Sequence, residues 1–143
     1  PATEVERMTI TTAQYFAGKP HSPDQDANAQ HLLEAVNELL DEAESAGIAR
    51  RTCPNTGTEI SGSKGGSGDG GFRLSTAKTG AVGSKHKQAH AVDVYDPGDV
   101  LDRILSDDDL ARFGLYREAP DSTPGWAHLQ DVAPGSGKRT FNP

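Results

Sequence analysis

The chain has 143 residues, a net charge of -7 and an apolar share of 34%. That length suits one domain with a modest core, and an acidic chain with no Lys/Arg run argues against nucleic acid or an anionic membrane surface as partner. A single cysteine, Cys53, excludes an intramolecular disulfide and a Cys-x-x-Cys zinc site, so any metal must be held by histidines and carboxylates.

The opening residues "PATEVERMTI" are charged and carry no apolar stretch, so no signal peptide is expected, and no segment is long enough to span a bilayer. Residues 8–19 read as a short element ended by Lys19-Pro20. The clearest helix follows. Ser22 can cap it, Pro23 suits the first helical position and Gln25 completes a capping box. Leu32, Leu33, Val36, Leu39, Leu40 and Ala43 recur at helical spacing and Gly47 supplies the stop, which predicts a helix over about 23–46 with one buried stripe. His31 lies beside that stripe and reads as a surface or rim histidine.

The stretch at about 57–71, "GTEISGSKGGSGDGG", is a long glycine-rich segment. It is no phosphate loop, because no Gly-Lys-Ser/Thr follows a strand there. It reads either as a mobile connection or as the rim of a site, since long loops in compact domains are often functional.

"GFRL" and "AHAVDVY" then have strand character. In the second, Ala89, Ala91, Asp93 and Tyr95 alternate with His90, Val92 and Val94, so the two sets face opposite ways. "DPGD" is a turn, and "DVLDRIL" and "DDDLARFG" read as short helices, the latter stopping at Gly114. "LYRE" and "WAHLQDV" read as two more strands around the loop "APDSTPG", and the tail "PGSGKRTFNP" as coil. The expected fold is α+β: a small, mainly antiparallel sheet packed against the long N-terminal helix and the short helices. The stretch reads as one domain without an internal repeat.

The run "GSKHKQAHAVDVYDP", residues 83–97, gathers His86, His90 and Asp93. A strand carrying Asp93, with His86 entering just ahead of it, can place an imidazole and a carboxylate on one metal. A catalytic zinc needs three protein ligands and an open position. His128, on the strand beside Trp126, is the natural third. The competing reading is structural: strand histidines are often core or surface residues, and Asp93 could cap a turn. His90 should face away from Asp93 and reads as solvent-side.

The pattern Ser84-x-His86-x-x-Ala89-x-Ala91-x-Asp93 resembles the S-x-H-x-x-G-x-A-x-D signature of the zinc D-Ala-D-Ala metallopeptidases. That family comprises D,D-carboxypeptidases, D,D-dipeptidases and phage cell-wall endopeptidases, and is related to the hedgehog signalling domain and the lysostaphin-type enzymes. "GGFR" resembles the family's S-G-Y-R segment and "GWAHLQ" its later W-x-H segment, in the same order. The wider layout, with "PNTGTEIS", "VYDP", "TPGW" and "RTFNP", is similar to small phage-encoded members.

The resemblance implies zinc ligands at His86, Asp93 and His128, with Ser84 and Trp126 supporting them. It implies a substrate-binding and charge-stabilising role for Arg73, and a single zinc-peptidase-like domain over 1–143. It also implies hydrolysis of peptidoglycan stem peptides near D-Ala, by a lysis enzyme or a virion-associated hydrolase. Such a protein would be found in the host cytoplasm before lysis, or in the virion among other phage proteins.

Two positions depart from the pattern. Ala89 replaces the signature glycine; alanine tolerates most backbone shapes except positive φ. Gly125 stands where many members carry the catalytic glutamate, three residues before the last histidine. Hydrolysis still needs a base. Glu118 is the leading replacement if its strand pairs with that of His128, with Asp121 and Asp131 weaker choices. The alternative is a phage structural component that keeps the fold and the metal but little or no turnover.

Overall fold

The computed structural model describes residues 8–63, 70–76 and 84–143. Its elements run α1 (Thr12–Phe16), α2 (Pro23–Ser45), β1 (Ala91–Tyr95), α3 (Val100–Ile104), α4 (Asp107–Arg112), β2 (Tyr116–Glu118), β3 (Trp126–Gln130) and β4 (Thr140–Phe141). The architecture is α+β. No helix among the described residues is long and apolar enough to cross a membrane.

Helix α2 forms as its sequence dictates. The Ser22 side chain accepts from the Gln25 backbone N–H, and the Gln25 side chain returns a bond to the Ser22 N–H. Asp24 and Asp26 in the first turn complement the helix dipole. Past Ala46, Gly47 adopts φ +99° and ends the helix. Its stripe of Leu32, Leu33, Val36, Leu39 and Leu40 is buried, each side chain contributing about 1.5–3 kcal/mol relative to exposure.

The four strands lie in the order β1-β3-β2-β4. β1 and β3 are antiparallel, as are β3 and β2, while β2 and β4 run parallel, so the sheet is mixed. Strand alternation divides its two faces. Val92, Val94, Ala127 and Leu129 enter the same core as the α2 stripe. Asp93 and His128 stand on the other face, directly opposite each other in the β1–β3 register.

The outer edge of β1 is covered by loop backbone. Tyr95 N–H donates to Glu59 O, Ser61 N–H to Asp93 O, and Asp93 N–H to Gly70 O, at 2.7, 2.8 and 2.7 Å. Gly70 must be a glycine: a Cβ there would meet Ser61 O at 2.3 Å and Asp93 Cβ at 3.0 Å. The glycine-rich stretch thus includes one residue fitted against the site strand; its residues 64–69 lie outside the described part.

Two expectations about the elements fail. "GFRL" is not a strand, because Phe72 N–H donates to Tyr15 O at the end of α1 and Arg73 N–H donates to His86 O. Short loop-to-loop bonds take the place of a ladder. The tail is not all coil. Arg117 N–H donates to Arg139 O and Ala119 N–H to Phe141 O, which makes Thr140–Phe141 the edge strand β4. A two-residue strand between polar and glycine residues leaves no period to read.

Candidate metal centre

His86 lies in the 3-10 turn Lys85–Gln88, which ends at Ala89 in a left-handed conformation, φ 60° and ψ 34°. That residue lets the chain reverse into β1, with His90 N–H closing the turn on Lys85 O at 2.9 Å. The position that the resemblance assigns to glycine therefore has the positive φ that favours glycine, and alanine occupies it fully buried. Gly125, at the position where the resemblance would set a glutamate, has φ +94° and donates its N–H to Asp99 Oδ1 at 2.8 Å. A glutamate in this turn would be held at a positive φ that L residues rarely adopt.

His86, Asp93 and His128 are all buried and converge, with one ligating atom from each lying within 4.8 Å of the others. His86 Nε2 is 3.3 Å and His128 Nδ1 2.9 Å from Asp93 Oδ1. The outer nitrogens are also engaged. His86 Nδ1 donates to Gly71 O at 3.0 Å, and His128 Nε2 donates to Gln130 Oε1 at 2.8 Å. Hydrogen bonds of this kind orient imidazole ligands. Burial alone would raise the Asp93 carboxyl, but the charges and hydrogen bonds of His86 and His128 hold it well below the usual carboxylate range. Burial disfavours a charged His128 ring. The hydrogen bond and charge of Asp93, with the charge of Glu118, outweigh it and raise the His128 pKa.

The donor set fits a metal. Two imidazole nitrogens and one carboxylate oxygen, oriented from behind, suit a divalent first-row ion with a coordination position left for substrate or water. The buried His-Asp-His group could hold a metal ion.

The group opens into a cleft of about 560 Å³ whose lining includes Arg73, Ser84, Glu118, Trp126 and Phe141. Glu118 Oε1 is 4.0 Å from His128 Nδ1. Arg73, from the loop expected to be a strand, has a guanidinium nitrogen 3.7 Å from Asp93 Oδ2. Trp126 is half-buried on the His128 face of β3. Ser84 sits beside His86, and among the described residues no hydrogen bond joins its hydroxyl to the three converging side chains.

Other candidates lie apart. Asp121 is exposed on the turn Pro120–Ser122. The Asp131 side chain is buried and accepts from His31 Nδ1 at 2.6 Å and His90 Nδ1 at 2.9 Å, tying α2 to the strand ends. His90 is thus half-buried and bonded rather than solvent-facing, because Asp131 folds back beneath it. His31 is exposed, as expected of a rim residue, and carries the same bond.

Sequence reasoning missed Gln130 and Phe141. Gln130 could have been found by the strand period, since it lies two residues beyond His128 on the same face. Phe141 had no signal until β4 placed the tail beside β2.

No family model, curated protein or solved structure matches this chain.

Proposed function

We propose that the chain is a zinc metallopeptidase acting on the peptide stems of bacterial peptidoglycan near a D-Ala residue, phage-encoded and serving in lysis or in the virion. The observation that carries this reading is the convergence of His86, Asp93 and His128 at the floor of a cleft, with a carboxylate, Glu118, 4.0 Å from one of them. The resemblance of the three segments around Arg73, His86 and His128 supports the substrate class.

A zinc held by His86, Asp93 and His128 would supply Lewis acidity toward the scissile carbonyl and would lower the pKa of a water bound there. Glu118 would take the proton of the attacking water and pass it to the leaving amine. Its place on β2 suits this role: the β2–β3 register pairs Tyr116 with Gln130 and, continued by two residues, sets Glu118 opposite His128. Arg73 anchors a substrate carbonyl or carboxylate and stabilises developing negative charge. Trp126 and Phe141 give the cleft apolar wall on which a stem side chain can rest.

A second reading is favoured by Gly125, which leaves the usual base position empty of a carboxylate. The protein is then a structural part of a phage particle, and the metal acts as a staple whose binding energy adds to folding energy.

Release of new amines or soluble stem peptides from purified peptidoglycan distinguishes the two. The peptidase reading expects release by zinc-loaded protein that a chelator abolishes and zinc restores. Zinc-loaded protein with no release on several wall types supports the structural reading instead.

A further inference from the structure

We propose that Gln130 is a positioning residue that fixes the tautomer of His128, so that Nδ1 is the nitrogen presented to the metal. The inference rests on the metal-binding reading of the site. It begins at a backbone carbonyl, which can only accept. Gln130 Nε2 donates to Val132 O at 2.8 Å. The amide is thereby oriented, since the flipped form would set its oxygen against that carbonyl. With the amide so held, Gln130 Oε1 faces His128 Nε2 at 2.8 Å and needs a hydrogen from it. His128 Nε2 therefore keeps its hydrogen, and Nδ1 is the nitrogen left to give up its proton and offer its lone pair to a metal. That nitrogen is the one 2.9 Å from Asp93 Oδ1.

The same logic acts on His86 with opposite atoms. Gly71 O holds a hydrogen on His86 Nδ1, which leaves Nε2, 3.3 Å from the same Asp93 oxygen, as the nitrogen to be offered to a metal. The two rings thus aim different nitrogens at one point, each fixed by an acceptor behind it. For His86 that acceptor is backbone and survives any substitution. For His128 it is a buried side chain, 3% exposed, and can be removed.

The test uses full-length protein labelled with nitrogen-15 in histidine, with zinc as the probe. Two-bond proton–nitrogen spectra of the zinc-loaded wild type should show His128 protonated at Nε2. Gln130→Met keeps the volume and removes the acceptor. It should lower zinc affinity by about 10–100-fold in competition with a chromophoric chelator, and His128 should lose its single tautomer. Gln130→Glu keeps an acceptor and should stay within a few-fold of wild type.

A folded Met variant with wild-type affinity and an unchanged His128 spectrum would overturn the proposal. So would a wild-type His128 protonated at Nδ1 in the zinc complex. If the Met variant does not fold, the Glu variant decides, because a folded Glu protein with strongly weakened zinc binding contradicts the acceptor role. A wild type that binds no zinc sinks the metal reading and this inference together, whereas wild-type binding with an indifferent Gln130 sinks this inference alone.

Discussion

Glu118 Oε1 stands 4.0 Å from His128 Nδ1, where the β2–β3 register, continued one residue past Arg117–Leu129, sets the two residues opposite each other. The carboxylate is three-quarters buried at the edge of the cleft, with 22% of its side chain exposed. Its position, close to the proposed metal but outside the converging ligand set, suits the base of the proposed mechanism. Glu118→Gln is therefore expected to lower peptidoglycan turnover by about 10²–10⁴-fold, the usual share of general acid–base catalysis. Zinc content should not change. Unchanged turnover in the zinc-loaded variant would remove Glu118 from the mechanism.

Gly70 is fitted against the strand that carries Asp93. Its carbonyl accepts the Asp93 N–H at 2.7 Å, and a Cβ would stand 2.3 Å from Ser61 O. Gly70→Ala must shift backbone on one side or the other, at a cost of about 1–3 kcal/mol. A lower melting temperature and weaker zinc binding should appear together, in thermal unfolding and chelator competition. A variant matching wild type in both would contradict the close approach.

Ala89 combines a left-handed backbone with a fully buried methyl. Removing the methyl relieves about 1–2 kcal/mol of strain. It also forfeits about 0.8 kcal/mol of burial and about 0.4–1 kcal/mol through a more flexible unfolded chain. Ala89→Gly should change unfolding free energy by less than about 1 kcal/mol on this balance. Ala89→Val adds β-branching to the strained backbone and should cost well over that. Denaturant unfolding of both proteins checks the pair; a tolerated valine would show that the turn relaxes.

Above about pH 6.5 the metal-free and metal-loaded proteins should respond to pH in opposite senses. Asp93 is held below its ordinary pKa, so its contribution is complete above the unfolded value of about 3.9 and is lost as acid protonates it. His128 is raised, so its contribution is complete below the unfolded value of about 6.5 and is lost as pH climbs through the folded value. The metal-free protein should be most stable between about pH 4 and 6.5. Zinc competes with the proton on His128, so zinc affinity should rise with pH across the region where metal-free stability declines. Melting curves with and without a chelator from pH 4 to 8.5 test this. Parallel pH profiles would contradict it.

The sequence made some levels of this structure readable and hid others, for physical reasons. α2 was legible from Ser22 to Gly47, because its caps and apolar spacing are local. β1 and β3 were legible from their alternation, and with them the face shared by Asp93 and His128. The meeting of His86 with that face was accessible through the resemblance, since a 3-10 turn carries no period of its own. The loop nature of Phe72 and Arg73 was hidden, because their bonds run to α1 and to His86. So were β4 and the His31–Asp131–His90 link, which join residues far apart in the chain. Gln130 was readable in principle from its spacing to His128, but only once the strand's orientation toward a site is known.

The claim on which the rest depends is that His86, Asp93 and His128 hold one zinc, and its most direct test is metal stoichiometry. Purified protein equilibrated with zinc and desalted is measured by plasma mass spectrometry beside folded His86→Ala, Asp93→Ala and His128→Ala variants. The account predicts about one equivalent retained by the wild type and loss of that equivalent in each variant, as a three-ligand site requires. No retained zinc in the wild type, or a full equivalent kept by Asp93→Ala, would contradict it.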